Sequence, residues 1–155
     1  MFILPPFDVE SPSFDEFRRI LISHSIPITD DDPDSGLLAF IFGDFYCAFT
    51  RNGHCYARVP LAYHDDIEMA DRSVFDADYR RFYDLVLEAH GKPVQDGQFV
   101  YDHRPSDWYY HYSVWQLDHC RLALTQNEYD IQFGLDISLT YLYFDGNSEG
   151  LLFGN

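Results

Sequence analysis

Residues Trp108–Phe144 read WYYHYSVWQLDHCRLALTQNEYDIQFGLDISLTYLYF, a run of aromatic and β-branched residues broken near Asp118 and again at Asn127–Asp130. Such a run, punctuated by polar turn residues, predicts three antiparallel strands in a meander. Successive side chains of a strand point to opposite faces. The central strand then places Cys120, Leu122 and Leu124 on one face and His119, Arg121 and Thr125 on the other. The last strand places Leu135, Ile137, Leu139, Tyr141 and Tyr143 together on one face. A sheet with so apolar a face needs a second layer, and the residues before it supply candidates.

Working outward from this meander, Tyr79, Phe82, Tyr83, Val86 and Ala89 recur at helical spacing and predict a helix over about 76–90. Gly91 is placed to end it and Pro93 to prevent its resumption. The first half has the same sequence of signals. Pro12 suits a first helical turn, Ser13 and Glu16 have capping-box spacing, and Phe14, Phe17, Ile20, Leu21 and His24 form a stripe ended by Pro27. Residues 1–10, with Pro5-Pro6, read as an extended lead-in, and 29–36 as an acidic loop. Leu37–Phe42, Phe45–Thr50 and His54–Ala62 read as strands joined by turns at Gly43-Asp44 and Arg51-Asn52-Gly53. Residues 94–107 read as a polar loop.

The expected fold is therefore α+β: an antiparallel sheet of about six strands in two α-βββ units, with two helices packed on one face. Residues 1–155 read as a single domain with an internal repeat of 11–62 and 76–144. The helix ends echo each other through Leu21, His24, Pro27 and Leu87, His90, Pro93, and a His-Cys pair recurs at 54–55 and 119–120.

The charge bounds function. Twenty-six acidic residues stand against ten basic ones, a net charge of −16, and Lys92 is the one lysine. Such a chain repels nucleic acid and anionic membranes and is drawn to basic protein surfaces. A hydrophobic content of 46% separates it from disordered acidic chains. Its three cysteines, Cys47, Cys55 and Cys120, are odd in number and lie in apolar strand-like runs, which predicts free buried thiols and a reducing, cytoplasmic setting. The N-terminus has no basic region ahead of its short apolar run, so no signal peptide is expected, and no stretch approaches the ~20 apolar residues that span a bilayer.

No motif for catalysis or metal binding emerges, and neither cofactor nor metal is expected. Asp30, Asp32 and Asp34 alternate as in a calcium loop, but Pro33 interrupts them and no glutamate follows at the twelfth position. His-Cys neighbours on a strand diverge to opposite faces, so neither pair suits one ion. There is no GxSxG and no glycine-rich phosphate loop. Trp108, Tyr109, Tyr110, His111 and Tyr112 are different: five consecutive rings divide between two faces, so some must meet a second layer or a partner, and exposed Tyr and Trp are favoured anchors at interfaces.

The segment from Tyr83-Asp84-Leu85 to Gly91-Lys92-Pro93, followed by Trp115 and paired strands to Phe144, resembles patterns in the small acidic immunity proteins of bacterial contact-dependent and type VI toxin systems. This resemblance implies a non-enzymatic antitoxin that docks on a cognate toxin or effector and blocks its active site. The partner would carry a basic surface, and nucleic acid and membrane would not be partners. The expected contact residues are Asp30, Asp31, Asp32, Asp34, Asp65 and Asp66 with Trp108, Tyr109, Tyr110 and His111. A second resemblance is to the acidic type III secretion chaperones, whose α-βββ-α-ββ-α order matches through the second helix and departs at the end. An enzyme with a pocket between helix and sheet is a third class, to which no particular residue points.

Overall fold

The computed structural model describes residues 3–64, 72–100, 109–130 and 134–143. The order is α1 (Phe14–Ser23), β1 (Ile28–Asp32), β2 (Leu37–Phe42), β3 (Phe45–Asn52), β4 (His54–His64), α2 (Arg72–His90), β5 (Gln95–Phe99), β6 (Tyr110–Gln116), β7 (Arg121–Asp130) and β8 (Gly134–Leu142). The α+β class and the antiparallel sheet are as expected, but the sheet has eight strands, not about six, in the order β1-β2-β3-β4-β8-β7-β6-β5. Each helix is followed by a four-stranded meander, and the two meanders meet through their last strands, β4 against β8.

The two additional strands are the edges. β1 reads ITDDD and β5 reads QDGQF. Both fall in segments read as loops, because neither has apolar alternation. An edge strand needs one hydrogen-bonded neighbour and no buried face, so backbone pairing to β2 and β6 suffices to hold them. Gly97 lets the Tyr112 phenol lie across β5, since a Cβ there would run into that ring and force it to shift. Pro60 lies inside the central strand β4, where the register shifts between Pro60 and Ala62. A residue without an N–H is tolerated at such a bulge.

Local sequence sets the helix ends. Ser13 Oγ accepts the Glu16 N–H at 3.1 Å and the Glu16 carboxylate accepts the Ser13 N–H at 3.0 Å, completing the capping box. At the other end Ser25 N–H donates to Ile22 O and Ile26 N–H to Leu21 O, a Schellman closure with Ser25 at φ 56°. Gly91, at φ 77°, occupies the corresponding position after α2. The Leu-x-x-His-x-x-Pro echo thus marks two helix ends that turn in the same left-handed way. The His-Cys echo marks no such equivalence. His54-Cys55 open the fourth strand after α1, whereas His119-Cys120 precede the third strand after α2.

Phe17 and Leu21 of α1 and Phe75, Tyr79, Phe82 and Val86 of α2 share one core with Ala57 and Val59 of β4, Leu122 and Leu124 of β7, and Ile137, Leu139 and Tyr141 of β8. The N-terminal lead-in belongs to that core. Phe7 is fully buried, its ring 4.9 Å from Phe17 and 5.6 Å from Tyr141, and its carbonyl accepts the Tyr143 hydroxyl at 2.8 Å. Along β7 and β8 the reverse face of the sheet is also buried, but with a polar row of Thr125, Asn127, Asp136, Ser138 and Thr140. Arg58 of β4 donates to Asp136 Oδ2 at 2.9 Å, and Ser138 Oγ donates to the same oxygen at 2.8 Å.

Candidate functional site

The residues expected to meet a partner fall in two separate places. Asp30, Asp31 and Asp32 lie on edge strand β1, with Asp34 in the turn that follows. The rings lie at β6, six strand positions across the sheet, roughly 29 Å apart at the usual inter-strand spacing. Asp65, Asp66 and Trp108 lie outside the described residues.

At the β1 edge the four carboxylates differ in availability. Arg18 holds Asp31 in a two-pronged ion pair, Nε to Oδ2 at 2.7 Å and Nη2 to Oδ1 at 2.8 Å. That hydrogen bonding lowers the Asp31 pKa from its ordinary value. Asp32 Oδ1 accepts the Ser35 N–H at 3.3 Å, which shapes the turn into β2. Asp30 and Asp34 are exposed. A row of charges on an edge strand also blocks sheet-to-sheet pairing between copies of the chain.

At β6 the alternation of the strand separates the rings. Tyr109, 37% exposed, lies 4.8 Å beneath the Arg72 guanidinium. Tyr110 was expected at a partner surface and is instead fully buried, stacked on Phe99 at 5.4 Å and edge-on to Phe75 at 6.3 Å. The reason is β5: Phe99 pairs directly with Tyr110 across the ladder, so a segment read as a loop covers this ring. His111 is half-buried and stacks on Tyr79 at 5.5 Å.

His111 opens onto a cleft of about 250 Å³ between α2 and the β5–β6 edge. Asp76, Tyr79, Arg80 and Tyr83 line one wall, at i, i+3, i+4 and i+7 on one face of the helix. Asp96, His111 and Ser113 lie on the strand side. Across the cleft runs a hydrogen-bond chain: Tyr79 Oη donates to Ser113 Oγ at 2.7 Å, and Ser113 Oγ donates to Asp96 Oδ1 at 2.6 Å. Burial raises the Tyr79 pKa well above its ordinary value, so the phenol keeps its proton. Beside it Gln126 is a clasp, its carbonyl oxygen accepting the His111 N–H at 2.8 Å and its amide donating to Asp76 Oδ1 at 3.0 Å. Arg72 Nε donates to Asp76 Oδ2 at 3.1 Å.

The arrangement differs from a serine paired with a histidine base. The Ser113 hydroxyl gives its proton to a carboxylate rather than to a histidine, and its oxygen is occupied by Tyr79. Among the described residues no group of three or more His, Cys, Asp or Glu side chains is placed to hold a metal ion. Burial raises the Cys47 thiol to about 11 and the Cys120 thiol to about 12, which leaves both inert at neutral pH. Also among the described residues, no helix is long and apolar enough to cross a membrane. A second cavity, of about 400 Å³, is apolar and lies between Phe82 of α2 and the β2–β3 turn, where Ile3 is 65% exposed.

His111 makes the cleft sensitive to pH. Burial depresses its pKa below 6.5, an effect opposed by Asp76 and reinforced by Arg72. Between the lowered folded value and the unfolded value the unfolded chain binds the extra proton, so stability rises with pH across that window and is complete above it. Resistance to urea is therefore expected to fall as pH drops below 6.5, and His111→Gln to flatten that part of the profile. An unchanged slope in the variant would assign the dependence to other groups.

Sequence reasoning found His111 through the ring run but missed Asp76, Tyr79, Asp96 and Ser113. The helical spacing of 76, 79, 80 and 83 was visible, but the wall they face requires β5. No protein-family model, no curated protein and no solved structure matches this chain.

Proposed function

We propose that this chain is a non-catalytic binding protein of the immunity type, which docks on a cognate toxin or effector with a basic surface and blocks its active site. The observation that carries this reading is the acidic β1 edge, where Asp30, Asp32 and Asp34 present carboxylates on a chain of net charge −16. Complementary charge of this kind steers encounter and suppresses wrong partners. Asp31 contributes mainly to structure, since Arg18 already holds both of its oxygens. The Tyr79–Ser113–Asp96 chain accounts for the buried polar groups beside α2 without requiring a reaction.

The test is co-expression with the products of neighbouring genes. A stable complex with one of them is expected, weakening as salt rises and weakened further by the triple variant Asp30→Lys, Asp32→Lys, Asp34→Lys. The absence of any complex, or one indifferent to both salt and charge reversal, would remove the support for this reading.

A further inference from the structure

We infer that the cleft between α2 and the β5–β6 edge is a socket for a single lysine or arginine side chain, supplied by the basic partner. The identity of the donor rests on the function proposed above; the chemistry of the socket does not.

At about 250 Å³ the cleft falls below the roughly 300–1,000 Å³ of small-molecule pockets, so a single long side chain suits it better than a metabolite. The hydroxyl protons of Tyr79 and Ser113 are both used internally, passed along the chain that ends on Asp96. Along this chain the cleft presents the Asp96 carboxylate oxygen beside ring faces, and a guest that binds there must bring N–H donors.

Asp76 is paired with Arg72, and Arg80 with Asp84 at 3.3 Å. Asp96 has the Ser113 hydroxyl but no ion pair among the described residues. Burial disfavours a charged His111. The lining is left with one uncompensated negative charge, held beside aromatic rings whose faces attract cations. An anion would meet both. The chain itself makes the same kind of contact on the rim, with the Arg80 guanidinium 4.8 Å from the Tyr83 centroid.

The test needs no partner. The ¹⁵N-labelled chain is titrated with N-acetyl-lysine N-methylamide, with its arginine counterpart, and with the uncharged N-acetyl-norleucine N-methylamide. Saturable shifts of the Gly97 amide and the His111 ring are expected with the two cationic probes and not with the norleucine probe. Asp96→Asn keeps an acceptor for Ser113 and is expected to weaken binding about tenfold, the loss of one charge-assisted contact. The same spectra report whether the variant is folded, and Tyr83→Leu, which removes a ring but no charge, gives an independent weakening. Equal shifts with the norleucine probe, no saturable shift with any probe, or full affinity in folded Asp96→Asn would each overturn the socket. None of these results bears on docking through β1, and failure of the β1 charge reversal leaves the probe titration standing.

Discussion

Phe17→Ala is expected to lower the unfolding free energy by about 3–5 kcal/mol, the range for truncating a fully buried phenylalanine. Phe17 has no exposed surface and stacks on Phe49 with ring centroids 4.1 Å apart and planes inclined by 9°. Its ring also lies 5.8 Å from Phe40 and 6.5 Å from Tyr143, so α1, β2, β3 and the end of β8 meet around it. Neighbours tied down by strand pairing cannot collapse into the space left behind, which places the cost toward the upper end. A small domain has about 5–15 kcal/mol in all, so the variant would be marginal at best. Urea unfolding measures the effect. Phe17→Leu, closer in volume, is expected to lose far less. Equal losses in the two variants would mean that the aromatic ring itself, rather than the volume it fills, carries the contribution.

Arg58→Ala is expected to be comparably destabilising, by about 3–5 kcal/mol, because it leaves a carboxylate buried without its cation. The Asp136 side chain is 2% exposed, and its Oδ1 is buried with no hydrogen-bond partner, so the charge rests on the Arg58 and Ser138 contacts to Oδ2. The two ends of this pair are not equivalent. Arg58 is 27% exposed and can turn its guanidinium to solvent if Asp136 is removed, whereas Asp136 has no such route. Asp136→Ala is therefore expected to cost less than Arg58→Ala. The double variant Arg58→Met, Asp136→Leu should recover most of the loss, since an apolar pair removes the desolvation cost along with the attraction. Unfolding of the three variants at neutral pH decides this. An Arg58→Ala protein as stable as the parent would show that water reaches Asp136.

Both variants probe features that differ in how far the sequence disclosed them. Phe17 was legible, since it lies on a stripe with Leu21 behind a capping box, and both are buried. The inward faces of β4, β7 and β8 were legible for the same reason: period-two alternation names the buried set once a strand is granted, and Ala57, Leu122 and Ile137 are all fully buried. Arg58 and Asp136 were not. They are far apart in sequence and become neighbours only because β4 pairs with β8, where Arg58 lies opposite Thr140 and Asp136 opposite Tyr63. The candidate site was legible in part. The run at 108–112 announced that some rings must leave the core, but strand β5 decided which, by covering Tyr110 with Phe99 and leaving Tyr109 and His111 nearer the surface.

The sequence by itself determined the local grammar: where α1 begins and where both helices end, which strand residues point inward, and the strongly acidic balance that directs the search toward a basic partner; α2 begins at Arg72, four residues ahead of the expected start. These depend on spacings of a few residues and on counts, so no distant contact is needed to read them. The tertiary structure alone decided that the polar segments ITDDD and QDGQF are edge strands, that the lead-in residue Phe7 belongs to the core, and that Asp76, Tyr79, Asp96 and His111 line one cleft. The physical reason is common to all three. An edge strand is held by its neighbour's backbone, a core residue by the surfaces that close over it, and a cleft by elements that meet only after the sheet has formed, so none of them leaves a periodic trace in its own stretch of chain.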